Sequence, residues 1–473
     1  MAYFRSFLVG TLALLLAGCG SDDAATGTQS TPTGTPDKET LPLDVALPIV
    51  FVHGFAGSAQ QYESQAIRFA ANGYPRERIF ALDHDGAGTD YATYVSLVDA
   101  LVDQVRAKFS VDKVYLVGHS RGTLVSTNYL GDATRAAKIA KYVSLDGGGC
   151  GAADTANIPC ISLVQAARGG THEMPLSGQA HVECATSLES FVEQYKLFVG
   201  AEPEVTEIVP QDKPVELTGR LVIFPANIGR AGTTLEIWEI NPDTGHRLGG
   251  APIKTYSIDE TGDWGPIVVS PDKRYEMAVV APDSGSHHFY LQRYVRSSHL
   301  VRLLSGQPDS PIRNATHRGP NHAAVIAMRM REWYTDPSPT AAGGPLGGQA
   351  RDPAKMDLLE VGTTSSGRDQ APANIIQTRM TNGDIAIHIH DDEASPGEST
   401  FGALPAFSDP ACTNCTAFQT TADVFMPASD PPDGTITFKN IPRGDSAKPQ
   451  VVKVPNWASE NHLISIIFSD YPQ

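Results

Sequence analysis

The chain has 473 residues, enough for roughly two to four domains, and its 41% hydrophobic and 19% charged content is that of a chain that folds. Its 36 Lys and Arg against 53 Asp and Glu give a net charge of −17. That balance repels phosphate backbones and anionic membrane surfaces, which argues against nucleic acid as a partner.

The first residues, MAYFRSFLVGTLALLLAGCG, place Arg5 before an apolar run through Leu16. The run is too short for a stable transmembrane anchor and has the form of a signal peptide's core. It ends in Leu16-Ala17-Gly18-Cys19, a pattern similar to the bacterial lipobox, in which the cysteine is diacylated and becomes the new N-terminus. Residues 1–19 are therefore expected to be a lipoprotein signal, with Cys19 the lipidation site and the mature chain exported and membrane-anchored, in the periplasm or at the cell surface. Residues 20–42, rich in Ser, Thr, Gly, Asp and Pro, form a flexible tether.

From 43 to 203 strands and helices alternate. Ile49–Val52, Ile79–Leu82, Val114–Val117, Tyr142–Leu145 and Ile161–Val164 are short apolar runs of the kind found in a sheet covered on both faces. Between the second and third, Thr89-Asp90 supplies an N-cap, and Tyr94, Val98, Leu101, Val105 and Phe109 mark one face of a helix. The pattern predicts a mostly parallel α/β sheet with its site at the C-terminal strand ends.

Candidate site residues fall at those ends. The first strand runs into His53-Gly54-Phe55, a turn that can aim the Phe55 N–H at a developing oxyanion. The third runs into Gly118-His119-Ser120-Arg121-Gly122 and then a helical stretch. This is a G-x-S-x-G elbow, which lifts the Ser120 hydroxyl above the sheet as a nucleophile and offers the Arg121 N–H as the second oxyanion donor. The fourth ends at Asp146, before three glycines, where a carboxylate can orient an imidazole; Glu173 and Asp154 are rivals on nearby loops. Of 14 histidines, His172 and His181 lie after Ser120 and before the texture changes. His181, on a polar loop entering an amphipathic helix, is favoured as base.

After about Glu204, ELTGRLVIF, TTLEIWEI, PIKTYSI, YEMAVVA and HHFYLQRYV alternate apolar and polar residues between turn-formers, predicting a β-sandwich or barrel over 204–334. Residues 335–373, with Pro-Ser-Pro and paired glycines, are expected to be a linker or long loop. A second β-rich segment, 374–473, carries ITFKNI and HLISIIFSDY, and the two segments form either one composite domain or two. Phe289, Tyr290 and Tyr294 are candidates for an apolar wall beside the catalytic cleft.

Cys150 with Cys160, and Cys412 with Cys415, are close enough for local disulfides, leaving Cys184 as a buried thiol. His388 and His390 share a strand face at a spacing that can bind zinc, although a solvated face is the commoner meaning. Asn314-Ala-Thr316 fits a glycosylation pattern that means little in a bacterium. No metal and no cofactor are expected.

Taken together, LAGC, HGFAGS, GHSRG, VSLDG and AHVECATSLESF, followed by LVIF and LEIWEI, resemble a family of two-part bacterial and archaeal lipases. The resemblance implies an α/β hydrolase followed by a C-terminal antiparallel β-sandwich or barrel. It also implies Ser120 as nucleophile, Asp146 as acid, His181 as base, Phe55 and Arg121 as oxyanion donors, and acylglycerols or related esters as substrates. About sixty residues separate the oxyanion turn from the elbow, which leaves little room there for a large helical lid. A short-chain carboxylesterase or polyester depolymerase uses the same triad, and a non-catalytic surface-binding lipoprotein is the expectation from another class.

Overall fold

The computed structural model describes residues 40–282, 285–306, 318–333, 357–364, 377–379, 386–390, 420–443 and 447–471. Cys19, Asn314, Cys412 and Cys415 lie outside them. So do the side chains of His388 and His390, whose backbone forms part of a strand, Ala386–His390.

Six strands, β1 (Ile49–Val52), β2 (Ile79–Leu82), β3 (Val114–His119), β4 (Ile139–Leu145), β5 (Cys160–Val164) and β6 (Glu173–Pro175), form one parallel sheet in the order β2-β1-β3-β4-β5-β6. The unbroken apolar runs arise because both faces are covered, so every residue of β1 and β3 is buried. Phe51 and Val117 face one core with Phe69 of α1 (Glu63–Ala71), while Val50, Val52 and Leu116 face another with Val98 and Val102 of α2 (Tyr91–Phe109). Asp90 caps α2 by accepting the Thr93 N–H at 3.1 Å, as its sequence position suggests. α3 (Arg121–Leu130), α4 (Ala133–Ala136), α5 (Gly151–Thr155), α6 (Glu183–Thr186) and α7 (Leu188–Val199) complete the layers. Cys150 and Cys160 are joined in a disulfide, and Cys184 is a buried thiol.

The two β-rich segments interleave in one nine-stranded sheet. Gly285–Leu291 pairs in parallel with His462–Ile467, which pairs on its other side with His322–Met328. A sheet containing Val215–Ile223, Asp263–Val269 and Ser298–Ser305 covers one face, and a three-stranded sheet of Leu358–Thr364, Thr435–Ile441 and Gln450–Pro455 covers the other. Leu358–Thr364 falls inside the stretch expected to be a linker. Its buried Leu359, Val361 and Thr363 alternate with period two, a signal overshadowed by the flanking glycines and prolines.

The three aromatics expected to wall the cleft do not do so. Phe289 and Tyr290 point to opposite faces of the nine-stranded sheet and are buried in its two cores, and Tyr294 packs against the first of these. The run HHFYL is buried throughout because this strand, like β1, is covered on both sides.

Candidate active site

Ser120 stands between β3 and α3 with φ 51° and ψ −121°, a conformation that costs a non-glycine residue roughly 1–3 kcal/mol. Its neighbours permit the sharp reversal. A Cβ on Gly118 would come within 2.7 Å of the Gly122 carbonyl oxygen, and one on Gly122 would run into the carbonyl of Val52. The strand–turn–helix is therefore closed only by two residues without side chains. The Ser120 N–H continues the sheet by donating to Leu145 O at 2.9 Å, and Thr123 Oγ1 donates to Ser120 O at 2.6 Å.

The register of the sheet decides what lies beside the serine. His119 is opposite Leu145, so Ser120 and Asp146 leave adjacent strands at the same level. Asp146 is buried and its Oδ2 accepts the His181 Nδ1–H at 2.5 Å. A proton on Nδ1 leaves Nε2 as the basic nitrogen. The second oxygen, Oδ1, accepts Arg168 Nη2–H at 2.5 Å and the Gln165 N–H at 3.2 Å. Burial pushes the Asp146 carboxyl up, but the His181 bond, the Gln165 N–H and the Arg168 charge outweigh it and hold it below its ordinary value. The other candidates are engaged elsewhere: exposed His172 pairs with Asp154 at 3.1 Å, and Glu173 accepts the N–H groups of Arg168 and Gly169.

His119 lies against His181, with the two ring centroids 4.7 Å apart. Its Nε2–H donates to His181 O at 3.0 Å, and Gln61 Nε2–H donates to its Nδ1 at 2.8 Å, which defines one neutral tautomer. Burial, with the neighbouring His181 adding to it, pushes this histidine down to about 3, which favours the neutral ring.

On the other side, Gly54 lies against the serine: a Cβ there would sit 2.9 Å from Ser120 Cβ. Phe55 follows, its side chain half exposed. The Arg121 side chain is buried and structural, its guanidinium donating to Gly88 O and Asp85 O at 2.6 and 2.7 Å and lying over the Phe55 ring. Asn227, from the β-rich region, donates to Gly57 O at 2.8 Å and His84 O at 2.9 Å, holding the turn from behind. A cleft of about 390 Å³ opens at Ser120, lined by Ser120, Asp146, Arg168, Tyr91, Leu124 and Thr123, among others.

Arg168 and Asn227 carry no motif signal; each lies outside the helices and strands, and its partner is fixed only by the fold. Residues 48–176 match the α/β hydrolase fold family, residues 213–308 the lipase C-terminal domain, and residues 311–472 a further C-terminal domain. The chain has an α/β-hydrolase fold followed by a β-rich region whose first part matches a lipase C-terminal domain. The hydrolase match contains Phe55, Ser120, Arg121 and Asp146 and ends before His181, while Asn227 falls within the lipase C-terminal domain match. Among solved structures, an extracellular α/β-hydrolase from a Paenibacillus species is 20% identical, with a TM-score of 0.18, over 21% of this chain and 40% of that one. The mature form of a Bacillus licheniformis lipase is 19% identical over 40% of this chain and 71% of that one, with a TM-score of 0.21. A soluble variant of a Saccharomyces cerevisiae monoglyceride lipase, solved with a substrate analogue, is 20% identical over 24% and 37%, with a TM-score of 0.18. The chain thus spans less than half the length of the first and third of these.

Proposed function

We propose that the protein is a serine hydrolase of carboxylic esters, with fatty acyl esters such as acylglycerols as substrates. The observation that carries this is the strained elbow at Ser120, which shares an open cleft with Asp146, the carboxylate that holds His181. His181 Nε2 takes the Ser120 proton as Oγ attacks the ester carbonyl, and the N–H groups of Phe55 and Arg121 receive the oxyanion. Collapse breaks the ester C–O bond, His181 returns the proton to the departing alcohol, and water repeats the sequence to release the acid. Asp146 stabilises the imidazolium without taking its proton.

A short-chain carboxylesterase is the second reading. It is favoured by a cleft whose apolar contributions come from Leu124 and Tyr91, with Phe289 and Tyr290 buried elsewhere. A fluorophosphonate that labels the native chain and not Ser120→Ala tests the hydrolase reading. A chain-length series of nitrophenyl esters decides between the two substrates, since each buried methylene contributes about 0.8 kcal/mol where the acyl groove is long enough. We also propose that Cys19 carries a diacylglyceryl anchor. An unmodified Cys19 in the intact mass of the mature chain would overturn that.

A further inference from the structure

His181 lies between β6, three residues long, and α6, four residues long. Neither element offers an extended ladder to hold its backbone, so groups outside them must do so. Glu183 Oε2 accepts the N–H of Ala180 at 3.0 Å, on one side of His181. His119 bonds its carbonyl. On the other side, Glu332 accepts the Val182 N–H on Oε1 at 2.7 Å and the Glu183 N–H on Oε2 at 3.1 Å.

Glu332 is 150 residues downstream of Val182, within the last domain match, and is completely buried. A network from the same domain stands behind it. Arg443 Nη1–H donates to Glu332 O at 2.7 Å, and Arg443 Nη2 and Arg331 Nη1 pair with Glu183 at 2.8 and 3.2 Å. Asp357 accepts the Arg443 N–H at 2.6 Å and pairs with Arg329. Burial pushes the Glu332 carboxyl up to about 7, against the Val182 N–H and the field of His181. A carboxyl kept in such a place, one oxygen to each N–H, does more there than fill space.

We infer that the C-terminal domain positions the base: Glu332 is a positioning residue that fixes the peptide on which His181 is carried. The inference rests on the hydrolase reading above. It assigns to residues 311–472 a part in catalysis that needs no contact with substrate. Displacement of His181 by about 1 Å is enough to cost on the order of 10²-fold in rate.

The test uses the full chain with Glu332→Gln, Glu332→Ala and Glu332→Asp. Nitrophenyl butyrate is the substrate, and phosphonate titration counts competent sites. Expected are a fall of about 10²-fold in kcat per titrated site for Gln and Ala, KM within about twofold, and partial recovery with Asp. The downfield proton resonance of the His181–Asp146 bond should shift or broaden in step. Normal kcat per titrated site with that resonance unmoved, at whatever Tm, overturns the inference. So does failure of all three variants to fold, which would make Glu332 a stability residue. A native chain that is not titrated, or an active Ser120→Ala, instead overturns the hydrolase reading itself.

Discussion

Asp146 and His181 meet Oδ2 to Nδ1 at 2.5 Å, with the carboxylate almost wholly withdrawn from solvent. The contact fixes both the ring's tautomer and its orientation, and under the proposed mechanism Ser120, Asp146 and His181 act as one unit. Ser120→Ala and His181→Ala should each lower kcat on the order of 10⁴- to 10⁶-fold, and the double variant little further. Asp146→Asn should cost about 10⁴-fold, because the amide favours the wrong tautomer. Single-turnover kinetics on a nitrophenyl ester measure all four, and independent losses in the double variant would refute the unit.

Arg168 shares that carboxylate. Its cation competes with the imidazolium for Asp146, so its removal gives the whole field to the base. Arg168→Ala should change kcat/KM by no more than a few-fold, because the side chain is half exposed. A loss of about 10²-fold or more in steady-state kinetics would show that Arg168 does more than share the carboxylate.

Asn227, within the lipase C-terminal domain match, holds the turn after β1 from behind and has φ 55°, a left-handed conformation that asparagine and glycine tolerate. Asn227→Gly keeps the backbone and deletes both bonds. It should lower kcat about tenfold with little change in KM, and leave the Gly57 and His84 carbonyls short of a donor at roughly 1–3 kcal/mol. Steady-state kinetics beside a denaturant curve check both; loss of stability with normal kcat would confine Asn227 to packing.

Glu276 is a buried carboxylate at the centre of an ion-pair cluster in the β-rich half. It takes Arg247 through both oxygens, at 2.7 and 2.8 Å, and His288 at 2.6 Å. Burial pushes its carboxyl up, yet these partners bring it from an ordinary 4.5 down to about 2. A depressed folded value stabilises the fold fully above about 4.5, and the contribution is lost as pH falls from there to about 2. The gap corresponds to about 3 kcal/mol. Urea unfolding should therefore weaken steeply across that window in the native chain and less so in Glu276→Gln, which should already be less stable at pH 7. Identical slopes would assign the acid sensitivity to other carboxylates.

The elbow, the turn at Gly54 and the cap at Asp90 are legible in the sequence because each is a contact among residues a few positions apart. The buried strands of the hydrolase domain are legible because a sheet covered on both faces leaves an unbroken apolar run. These place Ser120 and Asp146 at strand ends, and leave His181 distinguished from His172 only by the character of its loop. The tertiary structure decides the rest. Sheet register sets Asp146 at the level of Ser120 and brings His181, not His172, to its carboxylate. Alternation shows which residues of a β strand are covered and not which layer covers them, so neither the interleaving of the two β segments nor the burial of Phe289 and Tyr290 in opposite cores could be read. Glu332 and Asn227 left no trace in the sequence, since the backbone groups they hold lie 150 and 170 residues away and carry no side-chain signature. Local chain geometry wrote the elbow at Ser120 into the sequence; long-range bonds to backbone N–H and C=O groups, which every residue presents alike, determined what holds the His181 loop and the Gly54 turn in place.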